Sequence, residues 1–345
     1  MTATALPNVF SRYRSDVRAG LKAVFPDSTT PLYGMLRYHL GWQDEQGLPA
    51  DANVGKEVRP ALCLFACEAV GGTKEQALPP AVAIELIHNF SLIHDDIQDG
   101  DTERRHRKTV WYIWGQSHGI NAGDAMHALG NLALLDTNPA ALPPERRLEI
   151  SRILTRASLE MIEGQVLDLT FEGRPSVKVD DYLTMIGKKT GALLEASLHM
   201  GAVAAAADPA TVEAMRLFGK GLGLLFQVRD DMLGIWGAQD KTGKPAASDI
   251  HRRKKSLPIV HALQHAEGAA RDRMLAIYRS DRPLNEGDVH DVLAVLDEVR
   301  AAAYCTGLAR EHAERSMATL APVHLSASAR AECADLVQFL MDREH

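Results

Sequence analysis

Apolar residues in this chain recur at spacings of three and four, the period of an α-helix that is buried on one face. The pattern is clear in the segments 81–93, 150–169, 182–203 and 212–233. Runs of β-branched residues with the period-two alternation of strands are scarce. Turn-forming residues cluster between the helical segments, at 136–144, 173–180, 237–248 and 280–287. The sequence therefore predicts an all-α fold of ten or more helices.

Length and composition are those of an ordinary globular protein. The 345 residues are 46% apolar and 24% charged, with a formal net charge of −7. This length could hold two domains, but no long linker or low-complexity tract divides the chain, so we expect one domain over residues 1–345. The negative charge and the lack of a long basic block argue against a nucleic-acid partner.

The cysteines and the N-terminus predict a cytoplasmic protein. Cys63 and Cys67 share an apolar helix face, whereas Cys305 and Cys333 are isolated, so core thiols are expected rather than a disulfide or zinc site. The charged N-terminal segment 12–18 lacks the apolar core of a signal peptide. No stretch approaches the roughly eighteen apolar residues of a membrane span.

Two short acidic runs end predicted helices, Asp95-Asp96-Ile97-Gln98-Asp99 and Asp230-Asp231-Met232-Leu233-Gly234. Asp95 and Asp99 lie on one helix face, where like charges repel by about 0.2–0.5 kcal/mol, and by more when partly buried. A single run of this kind is usually a solvated helix end. Two such runs, each preceded by an apolar helix face, favour a bound cation, and Mg²⁺ binds through a few carboxylates plus substrate phosphates.

Both predicted helices combine an apolar body with an acidic end. Side by side, they would form a deep apolar pocket with a metal-binding mouth. Such a pocket suits a substrate with a hydrocarbon tail and a phosphate head.

Basic residues that could bind a phosphate accompany the acidic runs. They are Lys56, Arg59, Arg104, Arg105, Lys188, Lys189, Lys244, Lys254 and Lys255. Any one of them could be an ordinary solvated surface charge, but the planar guanidinium of arginine suits phosphate because it makes bidentate contacts. There are more cations than one metal-bound diphosphate needs, which indicates a second anionic substrate.

From about Gly55 to Pro258 the sequence resembles the trans-isoprenyl diphosphate synthase, or polyprenyl synthetase, family. The motifs that carry the resemblance are Leu92-Ile93-His94-Asp95-Asp96-Ile97-Gln98-Asp99 with Arg104-Arg105, Asn121-Ala122-Gly123-Asp124, Gly164-Gln165-Val166-Leu167-Asp168 and Phe226-Gln227-Val228-Arg229-Asp230-Asp231. The resemblance implies the isoprenoid synthase fold, an all-α bundle around a central cavity, in a homodimer.

The resemblance also implies roles for individual residues. Asp95, Asp99 and Asp230 would ligate about three Mg²⁺ ions, supported by Asp96, Asp168 and Asp231. The residues implied to bind the allylic diphosphate are Arg104, Lys189, Thr190, Gln227 and Lys244, with Lys254 as a further substrate-binding candidate. Those implied to bind isopentenyl diphosphate are Lys56, Arg59, His88 and Arg105. A core histidine is the alternative for His88.

The expected reaction joins isopentenyl diphosphate to dimethylallyl, geranyl or farnesyl diphosphate. Metal ions and cationic side chains would stabilise the departing diphosphate, so that the allylic C–O bond ionises. The double bond of isopentenyl diphosphate would attack the carbocation, and a proton would pass to the released diphosphate. Since water would quench the cation, the cavity must be dry.

Product length depends on the floor of the predicted pocket. Phe90 lies five residues before Asp95, ~7.5 Å along the helix axis, where a bulky ring limits growth of the tail. Its neighbour Ser91 is small, and no insertion separates Asp96 from Asp99. These features resemble those of short-chain members of the family, which implies a C15 or C20 product, with C20 slightly favoured.

The chain departs from the family pattern at four positions. Gly234 stands where many members carry a third aspartate, the least direct metal ligand of the family motif, so activity is still expected. Glu57 replaces a frequent arginine, while Lys56 and Arg59 keep their spacing. His106 and Lys108 replace a common glycine and proline, with a minor expected effect.

Two other functions fit parts of the sequence. A class I terpene cyclase shares the first acidic run, but it needs neither Asp230-Asp231 nor an isopentenyl site around Lys56 and Arg59. A non-catalytic subunit of a heteromeric synthase is favoured only by Gly234.

Overall fold

The computed structural model describes residues 7–52, 55–237, 247–280 and 282–342. It forms two compact units, which we call the N-terminal unit (Asn8–Thr155 and Ala196–Val212) and the C-terminal unit (Arg156–Glu195 and Glu213–His345, with Met1–Pro7). More than ten helices lie in the described part of the chain, which confirms the all-α prediction. One domain over the whole chain stays a prediction.

The elements follow one another in chain order. The first are α1 (Asn8–Arg12), α2 (Arg14–Val24), α3 (Pro31–His39), α4 (Val58–Ala69), α5 (Lys74–Gln98), β1 (Glu103–Arg104), β2 (Arg107–Lys108), α6 (Val110–Trp114), α7 (Gln116–Leu135) and α8 (Pro144–Glu172). After them come α9 (Val179–Ile186), a π-helix (Gly187–Gly191), α10 (Ala192–Ala204), α11 (Pro209–Trp236), α12 (Ser248–His251), α13 (Leu257–His265), α14 (Gly268–Arg279), α15 (Glu286–Glu298), α16 (Ala301–Thr319) and α17 (Ala327–Met341).

Helix α5 carries the first acidic run and packs against α4 and α7. It begins with a capping box, in which the Thr73 and Gln76 side chains satisfy each other's backbone N–H groups. Gly130 of α7 lies so close to α5 that an added β-carbon would be 3.1 Å from the carbonyl oxygen of Ala83. The helix ends at Gln98, so its acidic residues occupy the last turn.

Helix α11 carries the second acidic run in the C-terminal unit. Its buried side chains follow the three–four spacing of an amphipathic helix, at Met215, Phe218, Leu222, Leu225 and Val228. This apolar stripe fixes the rotation of the helix, and it therefore determines which way the carboxylates at its end face. Further along the chain, α12 to α15 enclose a separate apolar cluster that includes Ile250, Ile259, Met274, Val292 and Val295.

A two-stranded hairpin follows α5, although the sequence pattern indicated no strand there. β1 and β2 pair antiparallel, with Glu103 opposite Lys108 and Arg104 opposite Arg107. Arg105 and His106 form the two-residue turn with φ of 52° and 62°, the backbone that a tight type I′ hairpin requires. The hairpin thus fixes the backbone positions of the adjacent arginines Arg104 and Arg105.

Two structural findings concern the cysteines and the possible membrane spans. All four cysteines are free and buried, as expected for core thiols. No helix within the described ranges is long and apolar enough to cross a membrane.

Candidate active site

The first acidic run sits at the C-terminal end of α5. The backbone N–H of Asp99 donates to the carbonyl oxygen of Asp95 at 2.8 Å, so the two residues are one helical turn apart. The last turn of α5 contains no basic residue. Because a helix C-terminus already carries partial negative charge, the half-buried Asp95 and the exposed Asp99 form a site that a cation would stabilise.

Asp96 faces away from solvent and anchors an arginine. Its carboxylate is 2% exposed and accepts from Nε of Arg104 at 2.6 Å. Burial raises the pKa of Asp96 to about 6, and the nearby Arg104 opposes that rise. The structure therefore gives Asp96 the role of positioning Arg104.

Arg105 is held against the glycine that opens the basic segment before α4. Gly55 has φ of +113°, and a β-carbon there would lie 2.6 Å from a terminal nitrogen of the Arg105 guanidinium. Burial lowers the pKa of Arg105, and Glu85 opposes this effect. Gly55 thus lets the hairpin and the segment containing Lys56 come together.

Arg59 belongs to a buried polar network that sequence reasoning missed. Burial lowers the pKa of Arg59 to about 10, and the carboxylate of Glu85 counteracts it. Glu85 is 8% exposed and accepts from the amide of Asn89 at 3.1 Å. Asn89 Oδ1 lies 3.1 Å from Nε2 of His39, whose pKa burial lowers to about 3. Glu85, a charged residue among the apolar residues of α5, was the signal in the sequence that could have indicated this network.

His88 is half-buried beside these cations. Burial, followed by Arg59 and Arg105, lowers its pKa well below the ordinary value. A neutral imidazole retains one N–H donor, so His88 can donate to an anion without adding charge. Its cationic surroundings suit the predicted ligand role, which stays a prediction.

Glu57 pairs with two arginines from α2. Its carboxylate oxygens lie 3.6 Å from Nε of Arg14 and 3.5 Å from Nε of Arg18. Glu57 is 8% exposed and adopts the left-handed conformation immediately before α4. The acid that replaces a frequent arginine is therefore matched by positive charge from α2, and it links this helix to the segment that carries Lys56 and Arg59.

Phe90, the predicted floor residue, is buried between two histidine rings. Its ring is edge-on to His94 at 4.9 Å and to His127 of α7 at 5.1 Å. His94 in turn lies against Gly123, where a β-carbon would be 2.2 Å from Nε2. Gly123 of the Asn-Ala-Gly-Asp motif thus permits the close packing of α7 against the residue before Asp95. Ser91 is half-buried, and its hydroxyl donates to the His88 carbonyl at 2.8 Å.

In the C-terminal unit, Asp231 is a buried hydrogen-bond acceptor. Its carboxylate is fully buried and accepts from the Tyr182 hydroxyl at 2.5 Å, the Gln227 amide at 2.9 Å and the Leu257 backbone at 3.0 Å. Burial raises the pKa of Asp231 to about 6, against the effect of Lys254. Asp231 therefore orders the site, while the neighbouring Asp230 is only half-buried. Tyr182 was not predicted as part of the site.

Two predicted diphosphate ligands lie in the π-helix after α9. Nζ of Lys189 is 2.6 Å from Oδ2 of Asp168, and the Thr190 hydroxyl donates to Gln227 at 2.8 Å. Gly164 makes room for this π-helix, because a β-carbon there would lie 2.2 Å from the Lys189 backbone nitrogen. The structure thus brings together Asp168, Lys189, Thr190 and Gln227. π-Helical turns are frequent at functional sites.

Lys254 keeps an exposed side chain close to the second acidic run. Surrounding protein lowers its pKa, but the carboxylates of Asp231, Asp249, Asp230 and Asp168 outweigh this effect and raise it above the ordinary value. Its ammonium is therefore charged. Lys244 lies outside the described residues.

The carboxylates fit the hard metal ion that the sequence predicts. In the described ranges, no three His, Cys, Asp or Glu side chains converge closely enough to hold a metal ion by themselves. Mg²⁺ commonly binds through one or two carboxylates and completes its shell with substrate phosphates and water. Asp95 and Asp99, at a helix end without a basic residue, offer this oxygen donor set.

A sequence profile of the polyprenyl synthetase family matches residues 48–296. The chain belongs to this family. It is 40% identical over 318 residues to a (2E,6E)-farnesyl diphosphate synthase of Mycobacterium bovis, covering 90% of this chain and 86% of the relative. It is 38% identical over 314 residues to a geranylgeranyl diphosphate synthase of Mycobacterium tuberculosis, covering 90% and 88%. A crystal structure of a polyprenyl synthetase from Streptomyces coelicolor A3(2) superposes with a TM-score of 0.89 at 39% identity, covering 96% of this chain and 98% of that one.

Proposed function

We propose that this polyprenyl synthetase family member is a short-chain trans-prenyltransferase. It condenses an allylic diphosphate with isopentenyl diphosphate to a C15–C20 prenyl diphosphate. The observation that carries this proposal is that each unit holds its own set of cations beside an acidic helix end. In the N-terminal unit, Arg104 pairs with Asp96 in the first acidic run, and Arg59 and Arg105 interact with Glu85 of the same helix. In the C-terminal unit, Lys189 pairs with Asp168, and Lys254 interacts with Asp231 and Asp230.

The isopentenyl diphosphate site is assigned to the cations of the N-terminal unit. The carboxylate of Glu85 favours the charged forms of Arg59 and Arg105, and the Arg105 guanidinium lies against Gly55. Lys56 and His88 complete this site. The neutral His88 donates a hydrogen bond, while the two arginines neutralise the diphosphate.

The allylic diphosphate site is assigned to Arg104, Lys189, Thr190, Gln227, Lys244 and Lys254. Lys189 and Thr190 are presented by the π-helix, and Gln227 is fixed by its bond to Asp231. A divalent metal, Mg²⁺ with about three ions, would be held by Asp95, Asp99 and Asp230. Asp168 supports this cluster through Lys189, and Asp96 does so through Arg104.

Catalysis requires ionisation of the allylic substrate away from water. When bound, the divalent ions add positive charge that stabilises the leaving diphosphate. Lys189, Lys254 and Arg104 add charge at fixed positions, which favours the ionised state because the donors need no reorganisation. Arg59 and Arg105 hold isopentenyl diphosphate while its double bond forms the new C–C bond. The proton lost in this step passes to the released diphosphate.

The rival functions lack an observation in their favour. A cyclase would not need the Arg59–Glu85–Asn89 network that arranges a second cation group. A non-catalytic subunit was suggested only by Gly234, and the relatives compared above bear the names of synthases.

We also propose that the protein acts as a homodimer. Helix α8 exposes an apolar stripe at Leu159, Ile162, Val166 and Leu169, with exposed fractions of 56%, 42%, 58% and 37%. Their spacing places them on one face of the helix, and an exposed apolar face of this kind marks an interaction surface. A single domain around a central cavity and a cytoplasmic location stay predictions from the sequence.

Incubation with Mg²⁺, radiolabelled isopentenyl diphosphate and each of three allylic diphosphates (dimethylallyl, geranyl, farnesyl) tests this function. We expect linear C15 or C20 diphosphate, identified by chromatography after phosphatase treatment. A cyclic hydrocarbon formed without isopentenyl diphosphate would support the cyclase. No turnover by the pure chain, with turnover restored by a second polypeptide, would support the subunit.

A further inference from the structure

Lys255 links the segment after α12 to the C-terminal end of α8. Its Nζ donates to the carbonyl oxygens of Phe171 and Glu172 at 2.8 Å and 2.6 Å. These are the last two residues of α8, where backbone carbonyls have no partner within the helix and the helix dipole favours a cation. Burial lowers the pKa of the half-buried Lys255, and Glu172 opposes this effect. Lys255 is therefore a helix cap and not a solvated surface charge.

Arg253 fastens the other side of the same segment. Its Nε donates to the carbonyl oxygen of Ile277 at 3.0 Å, and a terminal nitrogen donates to the carbonyl oxygen of Arg282. Arg282 is itself fixed by a bidentate pair with Asp288, at 2.6 Å and 2.7 Å. Arg253 has φ of +51°, a left-handed backbone that non-glycine residues rarely adopt. Its side-chain bonds thus hold a backbone conformation that is unfavourable by itself.

Lys254 lies between these two anchors. Arg253 is bonded to the end of α14 and Lys255 to the end of α8, so the backbone of Lys254 is fixed from both sides. Helix α8 also carries Asp168, one turn before Glu172. Asp168 is among the carboxylates that stabilise the Lys254 ammonium, and both residues belong to the C-terminal unit. The contact of Lys255 with α8 therefore joins Lys254 to the helix that carries one of its own carboxylate partners.

We propose that Lys255 and Arg253 are positioning residues, which hold Lys254 at the allylic diphosphate by tying its two neighbours to the ends of α8 and α14. The inference rests on the proposed assignment of Lys254 to that diphosphate. A fixed ammonium stabilises the departing diphosphate better than a mobile one, because it needs no reorganisation as the charge develops. The two flanking cations thus serve the reaction through Lys254 and not by touching the substrate.

A double-mutant cycle separates positioning from helix capping and from a direct effect of charge. Lys255→Met removes both carbonyl bonds at similar side-chain length, and it is made alone and together with Lys254→Ala. Lys255→Arg is the conservative variant, which keeps a cation able to donate to carbonyls. Arg147→Met is the matched control, because Arg147 donates to the carbonyl oxygens of Leu135 and Thr137, both at 2.9 Å, at the end of α7 in the N-terminal unit.

We expect Lys255→Met to raise the KM for geranyl diphosphate about tenfold and to leave that for isopentenyl diphosphate within about twofold of wild type. Calorimetric binding of geranyl diphosphate with Mg²⁺, measured without isopentenyl diphosphate, should weaken by the same factor. Lys255→Arg should recover most of this loss. Arg147→Met should lower the Tm, as Lys255→Met does, but keep both KM values.

The Lys254→Ala background gives the decisive comparison. Residues that act through one another are not additive, so Lys255→Met should there lower the Tm without raising the KM for geranyl diphosphate any further. If Lys255→Met does not fold, Arg253→Ala enters the same cycle with the same expectations.

Two results would overturn the inference. One is a Lys255→Met protein with a lower Tm that binds geranyl diphosphate as wild type does, which would make Lys255 a helix cap only. The other is an equally large loss of affinity in the Lys254→Ala background, which would be the direct effect of a lost charge. The failure of the proposed function is separate, because it would show as a wild-type protein that binds geranyl diphosphate but does not elongate it.

Discussion

The Cα of Gly164 faces the backbone nitrogen of Lys189, and a β-carbon on Gly164 would lie only 2.2 Å from that nitrogen. On another side of the same π-helix, a β-carbon on Gly223 would lie 2.7 Å from the Cα of Gly191. Two glycines, one on α8 and one on α11, thus allow the π-helix to pack closely against both helices. The direction of the Lys189 and Thr190 side chains follows from this packing.

Gly164→Ala should therefore damage both stability and the allylic site. The methyl group meets backbone rather than a flexible side chain, so α8 or the π-helix must shift, at a cost of about 1–3 kcal/mol. We expect a lower Tm in thermal unfolding and a higher KM for geranyl diphosphate. Gly307→Ala is the matched control, because nothing lies within 4 Å of an added β-carbon there, and it should be neutral or stabilising by up to about 1 kcal/mol. An unchanged Tm in Gly164→Ala would contradict the role of this contact.

Asp230 and Asp231 should give opposite phenotypes although they are adjacent. Asp231→Asn disturbs an acceptor of three hydrogen bonds, so unfolding without metal or substrate should become easier by about 1–3 kcal/mol. Asp230→Asn should leave the metal-free Tm near that of wild type but lower kcat by about 10²-fold or more. Equal effects of the two variants on the metal-free Tm would refute this division.

Phe90→Ala should lengthen the product. The Phe90 ring fills the space between His94 and His127, and its removal opens the lower part of α5 to a longer tail. Chromatography of dephosphorylated products should show a shift beyond C20. Ser91→Ala serves as a control, because it removes only a hydroxyl and should keep the wild-type profile. A Phe90→Ala product profile identical to that of wild type would exclude Phe90 as the floor.

Glu85 should make the fold less stable as the pH rises. Burial raises its pKa from 4.5 to about 7, against the effect of Arg59, while Glu57 raises it further and Asn89 and Arg105 lower it. The folded state therefore holds this proton more tightly than the unfolded state does, so stability is lost between pH 4.5 and pH 7. Glu85→Gln removes that loss.

Thermal unfolding at pH 5 and pH 8 tests this expectation for Glu85. The Tm of Glu85→Gln relative to wild type should be higher at pH 8 than at pH 5. The buried His39 makes the fold less stable as the pH falls, since acid must charge its imidazole. His39 is present in both proteins, so its effect on the Tm difference cancels. The exposed Glu149→Gln serves as the control for loss of one charge. A difference that does not change with pH would contradict the account of Glu85.

The sequence predicted the helical class and the acidic helix ends because both rest on local information. Three–four spacing identifies a helix, and two acidic runs beside apolar faces identify a charged end that needs a cation. Arg104 and Arg105 were likewise visible because they follow the first run closely. The sequence did not show whether Asp96 and Asp231 are exposed to solvent. Their burial depends on contacts with residues of other elements, Arg104 in β1 for Asp96 and Tyr182 in α9 for Asp231.

The rest of the site depends on close approaches that no local pattern reveals. Gly123 and Gly164 are informative only once His94 and Lys189 are known to lie against them. The short hairpin was missed for a related reason. Two-residue strands carry no periodicity, and a non-glycine pair in the turn gives no clear turn signal.

The central claim is that the two cation groups bind two different diphosphates, and paired KM measurements on Arg59→Gln and Lys189→Gln test it most directly. Both variants are assayed with Mg²⁺ while isopentenyl and geranyl diphosphate are varied in turn. Arg59→Gln should raise the KM for isopentenyl diphosphate about tenfold or more and leave that for geranyl diphosphate near wild type, and Lys189→Gln should do the reverse. If both variants raised the same KM, or if the pattern were exchanged, the account would be wrong.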